Sequence, residues 1–134
     1  ILQNHPDSCE KWADVGIKLS QKNNLKKQEA YFWNSKGGAL LYMGNLNAST
    51  KAYQTSINIY ENEGIKPYNI YGNLGTIYFV NKKNEKAIHY FKNALDGAKE
   101  DDHNTRAQIT HNIGSAYISL GEYKQALIYL KPSI

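Results

Sequence analysis

Cysteine is almost absent from this chain. Cys9 stands alone, so no disulfide can close within the chain and no cysteine cluster can hold a metal. Proline occurs three times, at Pro6, Pro67 and Pro132, and runs of β-branched residues are few. Both scarcities favour helices over sheet. Arg106 is the single arginine. The formal charge of +4 comes from lysine, much of it in turn-like places such as Lys22, Lys26, Lys27, Lys82 and Lys83. Nucleic-acid readers lean on arginine and on a continuous basic stripe, so these lysines read as solvated surface and no nucleic-acid partner is expected. No apolar run approaches the roughly 20 residues of a membrane span, so no membrane partner is expected within this segment. No signal peptide is visible and the chain starts at Ile1 rather than Met. An excised domain or processed product is expected. The compartment is not determined: the cytoplasm is favoured, with a periplasmic sensor region of a bacterial membrane or regulatory protein as the alternative.

Catalytic patterns are missing too. His5, His89, His103 and His111 share no metal-like spacing with each other or with Cys9. There is no HExxH, no GxSxG and no phosphate-binding Gly-Lys-Ser/Thr. The adjacent acids Glu100, Asp101 and Asp102 read as a solvated turn. No enzyme, no metal and no cofactor is expected.

What is present is apolar mass in helical register. Hydrophobic residues make up 41% of 134 residues, with 11 tyrosines, enough for a core. A helix is expected from Asp7, as cap with Glu10 closing a capping box, with Gln21–Asn24 as its exit turn. A second runs from about Leu25 to Met43, burying Ala30, Trp33, Gly37, Leu40 and Leu41. Asn47 is a plausible cap for a third, to about Glu63. Pro67 suits the first turn of a fourth, which runs to about Val80. A fifth spans about Asn84 to Glu100. A sixth, capped by Asp102 or Asn104, ends at Gly121. A seventh starts at Glu122 and meets Pro132.

The helix pairs repeat. Gly37, Gly75 and Gly114 lie 38 and 39 residues apart (75 − 37 and 114 − 75). Twelve residues after each comes a small residue, Ser49, Ala87 or Ala126. Four further on is a large one, Tyr53, Phe91 or Leu130, and three later a small one, Ser56, Ala94 or Ser133. Ala13, Ile17 and Ser20 supply another copy of this second half. A period of this length marks a solenoid of helix hairpins that bury their faces by stacking.

The pattern resembles the tetratricopeptide repeat (TPR) family. Tyr71, Leu74, Gly75, Tyr78, Ala87, Phe91 and Ala94 match the family's motif, while Lys36, Ser49, Ser56 and Thr110 depart from it. The resemblance implies an all-α, right-handed superhelical solenoid of antiparallel helix pairs, about seven helices. It also implies one domain over 1–134: a half unit (helix B only) at 7–22, repeats at 30–63 and 68–101, and a truncated repeat at 107–134. The period exceeds the family's usual length, with the surplus around Asn62–Lys66 and Glu100–Asn104, so longer helices and an altered twist are expected.

In such arrays the first helix of each pair, helix A, lines a concave surface. The residues it leaves unpacked include Tyr31 and Asn34, then Asn69, Asn73 and Thr76, then Gln108, His111 and Asn112. Asn73 and Asn112 each precede their repeat glycine by two residues and are expected to form a ladder that bonds an extended peptide. The competing reading is ordinary surface in an asparagine-rich chain. The family's clamp for a C-terminal carboxylate is disfavoured, because Asn34, Gly38, Asn73, Gln108 and Asn112 supply no cation. The implied partner is a protein or peptide segment, with self-association through terminal repeat faces as the alternative. The implied role is a scaffold within a larger regulator, sensor or adaptor.

Overall fold

The computed structural model describes residues 6–131. Pro132 and Ser133, expected to stop the last helix and to fill its second small position, lie outside the described residues, as does His5. Seven α-helices and no strand occur among the described residues: α1 Pro6–Lys22, α2 Lys26–Tyr42, α3 Leu46–Asn62, α4 Tyr68–Val80, α5 Asn84–Gly97, α6 His103–Ser119 and α7 Tyr123–Leu130. Contacts divide the chain into two units, Ile1–Lys66 and Pro67–Ile134. In the first, α2 packs on both α1 and α3. In the second, α5 packs on α4 and α6, and α6 packs on α7.

The turns follow one design. The residue seven places after each repeat glycine has positive φ: Gly44 at 81°, Lys82 at 62° and Gly121 at 76°. Glycine takes this conformation freely, whereas Lys82 takes it against the clash of its Cβ. The next backbone N–H then reaches back five residues, Asn45 to Leu40, Lys83 to Tyr78 and Glu122 to Tyr117, at 2.8–2.9 Å. These bonds satisfy carbonyls that the ending helix leaves free.

Several helix ends differ from expectation. The cap of α3 is Asn45, whose Oδ1 accepts from the Ala48 N–H at 3.2 Å, and Asn47 lies inside the helix. Asp7 also lies inside its helix, in the first turn of α1, where its charge complements the helix dipole. Pro67 is the residue before α4 rather than part of it. The surplus length is handled unevenly. In the first unit α1, α2 and α3 each run 17 residues. At the second surplus α5 stops at Gly97, and Ala98 turns extended with ψ 144°. Gly97 is a poor helix former, and Arg106 covers the end: its Nη1 donates to the Leu95 and Ala98 carbonyls at 3.1 and 3.2 Å.

Asp102 caps α6 as expected, accepting from the Thr105 N–H at 3.2 Å. The Thr105 side chain and then its backbone N–H favour the charged carboxylate and hold it below its ordinary range. A depressed folded pKa stabilises the fold above the unfolded value, and that contribution is lost as pH falls through the folded value. The stability advantage of the wild type over Asp102→Asn, a neutral residue that still caps, should therefore shrink on acidification through the carboxylate range. Thermal melts of both proteins across that range check it, and a pH-independent difference would contradict the linkage.

The two units have different interiors. In the second, Leu74, Ala87, Phe91, Ala94 and Ile113 are essentially inaccessible. In the first, polar groups enter. Ser49 and Ser56, where the family prefers alanine, are both fully buried. Ser49 Oγ donates to the Gly37 carbonyl at 2.7 Å and Ser56 Oγ to the Ala30 carbonyl at 2.6 Å, so both tie α3 to α2. Glu29 is buried and accepts from Gln21 Nε2 of α1 at 3.2 Å and from Trp33 Nε1 at 3.3 Å. Lys36, where leucine is usual, reaches Asp14 of α1 at 2.7 Å and lies over the Trp33 ring.

Candidate functional site

Four glycines set how closely the helices approach. A methyl group built on Gly37 would meet the Tyr53 ring at 2.7 Å, on Gly75 the Phe91 ring at 2.5 Å, and on Gly114 the Leu130 side chain at 2.4 Å. Each partner is sixteen residues on, so the same contact recurs in each pair. Gly16 repeats the spacing against Phe32 at 2.4 Å, between α1 and α2. Thus α1 holds an A-type close approach while Ala13, Ile17 and Ser20 are also buried.

This packing turns the opposite faces of α4 and α6 to solvent. On α4, Asn69, Asn73 and Thr76 are exposed, one above another at i, i+4 and i+7. Thr76 Oγ1 donates to the Gly72 carbonyl at 3.0 Å, so its hydrogen is engaged within the helix. On α6, Gln108 and His111 are exposed and Asn112 is half-buried. With Ala107 these three line an open depression of about 500 Å³. Asn69 and Gln108 are 39 residues apart, as are Asn73 and Asn112, so each pair occupies equivalent places on helices that flank α5.

The first unit does not continue the asparagine series. The equivalent of Asn73 on α2 is Ser35, whose Oγ donates to the Tyr31 carbonyl at 3.1 Å. Asn34 is half-buried one residue earlier. Tyr31 is about half exposed, and its ring stands edge-on to Phe32 at 5.4 Å. Burial, and then the nearby Tyr31, raise the Tyr60 hydroxyl above its ordinary pKa.

Charge is scarce on these helices. None of the residues of α4 is charged, and α6 carries only Arg106, which is committed to the end of α5. Among the described residues no three His, Cys, Asp or Glu side chains are grouped to hold a metal, and no helix is long and apolar enough to cross a membrane.

One arrangement escaped the sequence reading. Tyr78 stacks on Tyr90 at 5.5 Å, and 39 residues later Tyr117 stacks on Tyr129 at 5.8 Å. Lys86 lies over Tyr78, and Lys92 lies over both Tyr117 and Tyr129. Hydrogen bonding to Tyr117, opposed by partial burial, holds the Lys92 ammonium above its ordinary pKa. The signal was there: a tyrosine twelve residues after Tyr78 and again after Tyr117.

The comparisons with known proteins bear on this geometry. The tetratricopeptide repeat family matches residues 67–133. The structure of BtubC (BKLC) from P. vanneervenii superposes with TM-score 0.82 and 18% identity, covering 95% of this chain and 54% of BtubC. The present chain therefore spans about half the length of BtubC. The N-terminal domain of stress-induced protein-1 (STI-1) from C. elegans gives TM-score 0.70 at 17% identity, covering 78% of this chain and 81% of that domain. The MamA protein gives 0.67 at 19%, covering 96% and 71%. At these identities the likeness concerns the fold. No curated protein sequence matches the chain.

Proposed function

Because the chain belongs to the tetratricopeptide repeat family, a fold that serves as a protein-interaction scaffold, we propose that its second unit binds an extended, uncharged peptide segment on the exposed faces of α4 and α6. The observation that carries this reading is the equivalent placement of Asn73 and Asn112 on two nearly charge-free helices. An asparagine amide both donates and accepts, so it can bond a peptide backbone whatever the side chains are. Gln108 and His111 add hydrogen-bonding groups beside the depression, and Asn69 and Thr76 extend the row on α4. Tyr31 and Asn34 belong to the first unit and are assigned no part in this contact. The chain serves within a larger regulator, sensor or adaptor, and its two units form one repeat domain of that protein.

The test uses peptides selected for binding from a random library. Asn73→Ala/Asn112→Ala removes two hydrogen bonds of about 1 kcal/mol each, so affinity should fall roughly thirtyfold. Calorimetry measures it. Both side chains lie outside the core, so the melting temperature should hold. Unchanged affinity with the fold intact would refute the assignment, as would binding that collapses with added salt.

A second reading, assembly through a terminal repeat face, has its own observation. Leu127 of α7 is 67% exposed, whereas its equivalent Ile88 on α5 is 7% exposed. Light scattering over a range of concentrations separates the readings, since a mass that stays monomeric counts against assembly.

A further inference from the structure

Gly38 has no internal reason to be glycine. A methyl group built on it would make one ordinary contact, with the Tyr53 hydroxyl at 3.6 Å, whereas one on Gly37 would run into the Tyr53 ring at 2.7 Å. Glycine inside a helix is unfavourable relative to alanine, and a glycine that the fold does not need marks close approach from outside. Gly38 stands in the middle of a line on α2. Tyr31, Ser35, Gly38 and Tyr42 follow at i, i+4, i+7 and i+11, within about 60° of arc on a helix of 3.6 residues per turn. Tyr31 is 51% exposed and Tyr42 84%, with the small residues half-buried between them.

Helix pairs on either side leave this line open. Its equivalents on α6 are Gln108 and Ser119, exposed, and Asn112 and Ser115, half-buried, with α4 and α5 before them. Its equivalents on α4, Asn69, Asn73, Thr76 and Val80, are all exposed with α5, α6 and α7 after them.

The chemistry on α2 is different. Phenol rings replace the amides, and a half-buried tyrosine of α3, Tyr60, lies near Tyr31. Lys36 is neutralised by Asp14 at 2.7 Å and Lys26 pairs with Glu29 at 3.7 Å. The line is thus neutral along its length and positive at one end, where exposed Lys27 precedes Tyr31 by one turn.

We propose that α2 binds a proline-rich segment of a partner protein, wound as a polyproline helix along Tyr31, Ser35, Gly38 and Tyr42, with an acidic residue at the end that meets Lys27. Three matches support this occupant. Tyr31 and Tyr42 are separated by roughly 17 Å along α2, and prolines six residues apart by roughly 19 Å, which places a proline on each ring and a third over Gly38. Polyproline carbonyls have no internal hydrogen bonds and can accept from the phenols, whereas a docked α-helix has its own carbonyls satisfied. Proline also lacks the N–H for which the amides of α4 and α6 supply an acceptor. A second copy of the chain cannot provide the segment, because its three prolines, at 6, 67 and 132, are never six or fewer residues apart.

The test uses a fluorescent peptide with proline at every third position, alanine between and one terminal glutamate, titrated into the chain and read by anisotropy. Saturable binding is expected. Tyr31→Ala/Tyr42→Ala should weaken it roughly tenfold or more, and Tyr31→Phe/Tyr42→Phe about fivefold through the hydroxyls. Gly38→Leu fills the line and should abolish binding while leaving the melting temperature unchanged or higher. Lys27→Glu should weaken binding roughly threefold, and only for the peptide that carries the glutamate. Asn73→Ala/Asn112→Ala should bind this peptide like the wild type, which keeps the site distinct from that of the second unit. The proposal fails if the proline peptide does not bind, if its all-alanine version binds as tightly, or if Gly38→Leu folds and still binds. An amphipathic helical peptide that displaces the proline peptide and binds more tightly would give the line to a helix and overturn it as well.

Discussion

Phe91→Ala should lower the free energy of unfolding by about 3–5 kcal/mol, the usual cost of emptying a fully packed aromatic site. Phe91 is 1% exposed and its ring lies where a methyl group on Gly75 would fall, at 2.5 Å. The more telling result is a reversal of sign. In the wild type Gly75→Val forces side-chain carbon into that ring and should cost about 3 kcal/mol, the upper end for overpacking. In the Phe91→Ala background the same substitution enters vacated space and replaces a poor helix former, so it should be neutral or mildly stabilising. Denaturant titrations of the four proteins form a double-mutant cycle. Simple additivity would mean that the two residues do not meet. The same reversal is expected for Gly37 with Tyr53 and Gly114 with Leu130, because their close approaches match at 2.7 and 2.4 Å.

Ser56→Val should cost about 2–4 kcal/mol, although it makes the interior more apolar. Two effects add. The hydroxyl that donates to the Ala30 carbonyl at 2.6 Å is lost, worth about 1 kcal/mol. The extra carbon enters a site with no accessible surface, which costs about 1–3 kcal/mol. Ser56→Ala isolates the first effect and should cost about 1 kcal/mol, even though alanine is the commoner family residue there. Ser49→Ala should behave alike, through its bond to the Gly37 carbonyl at 2.7 Å. Chemical denaturation gives all three values. A stabilised Ser56→Ala would mean that the hydroxyl is tolerated rather than used.

These results separate two ways of building one fold. The second unit closes on carbon: Leu74, Phe91 and Ile113, with stacked tyrosines at its edge. The first unit uses polar ties. Ser49 and Ser56 bond the carbonyls of α2, Glu29 receives Gln21 and Trp33, and Lys36 joins α2 to α1. The departures from the family motif at Lys36, Ser49 and Ser56 are thus substitutions with partners.

Helix number, order and pairing were legible in the sequence, because they follow from local causes: apolar spacing at 3.6 residues, breakers between runs, and a glycine every 38 or 39 residues. So were Gly37, Gly75 and Gly114 and the large residues sixteen places on, but not Gly16 and Phe32, which meet between α1 and α2. Helix ends were less legible. Asn45 and Asn47 are chemically the same cap, and only the path of the turn through Gly44 at φ 81° puts Asn45 in place. The end of α5 depended on Arg106, eleven residues beyond Leu95, folding back onto its carbonyls. The candidate site divided in the same way. That Asn69, Asn73, Gln108 and His111 face outward follows from periodicity alone, since packing claims the other positions. That Ser35 interrupts the series by bonding its own helix, and that Lys92 lies over Tyr117 and Tyr129, was settled by tertiary contact. A one-dimensional pattern states which residues share a face; which neighbour fills that face depends on distances set only when the helices close.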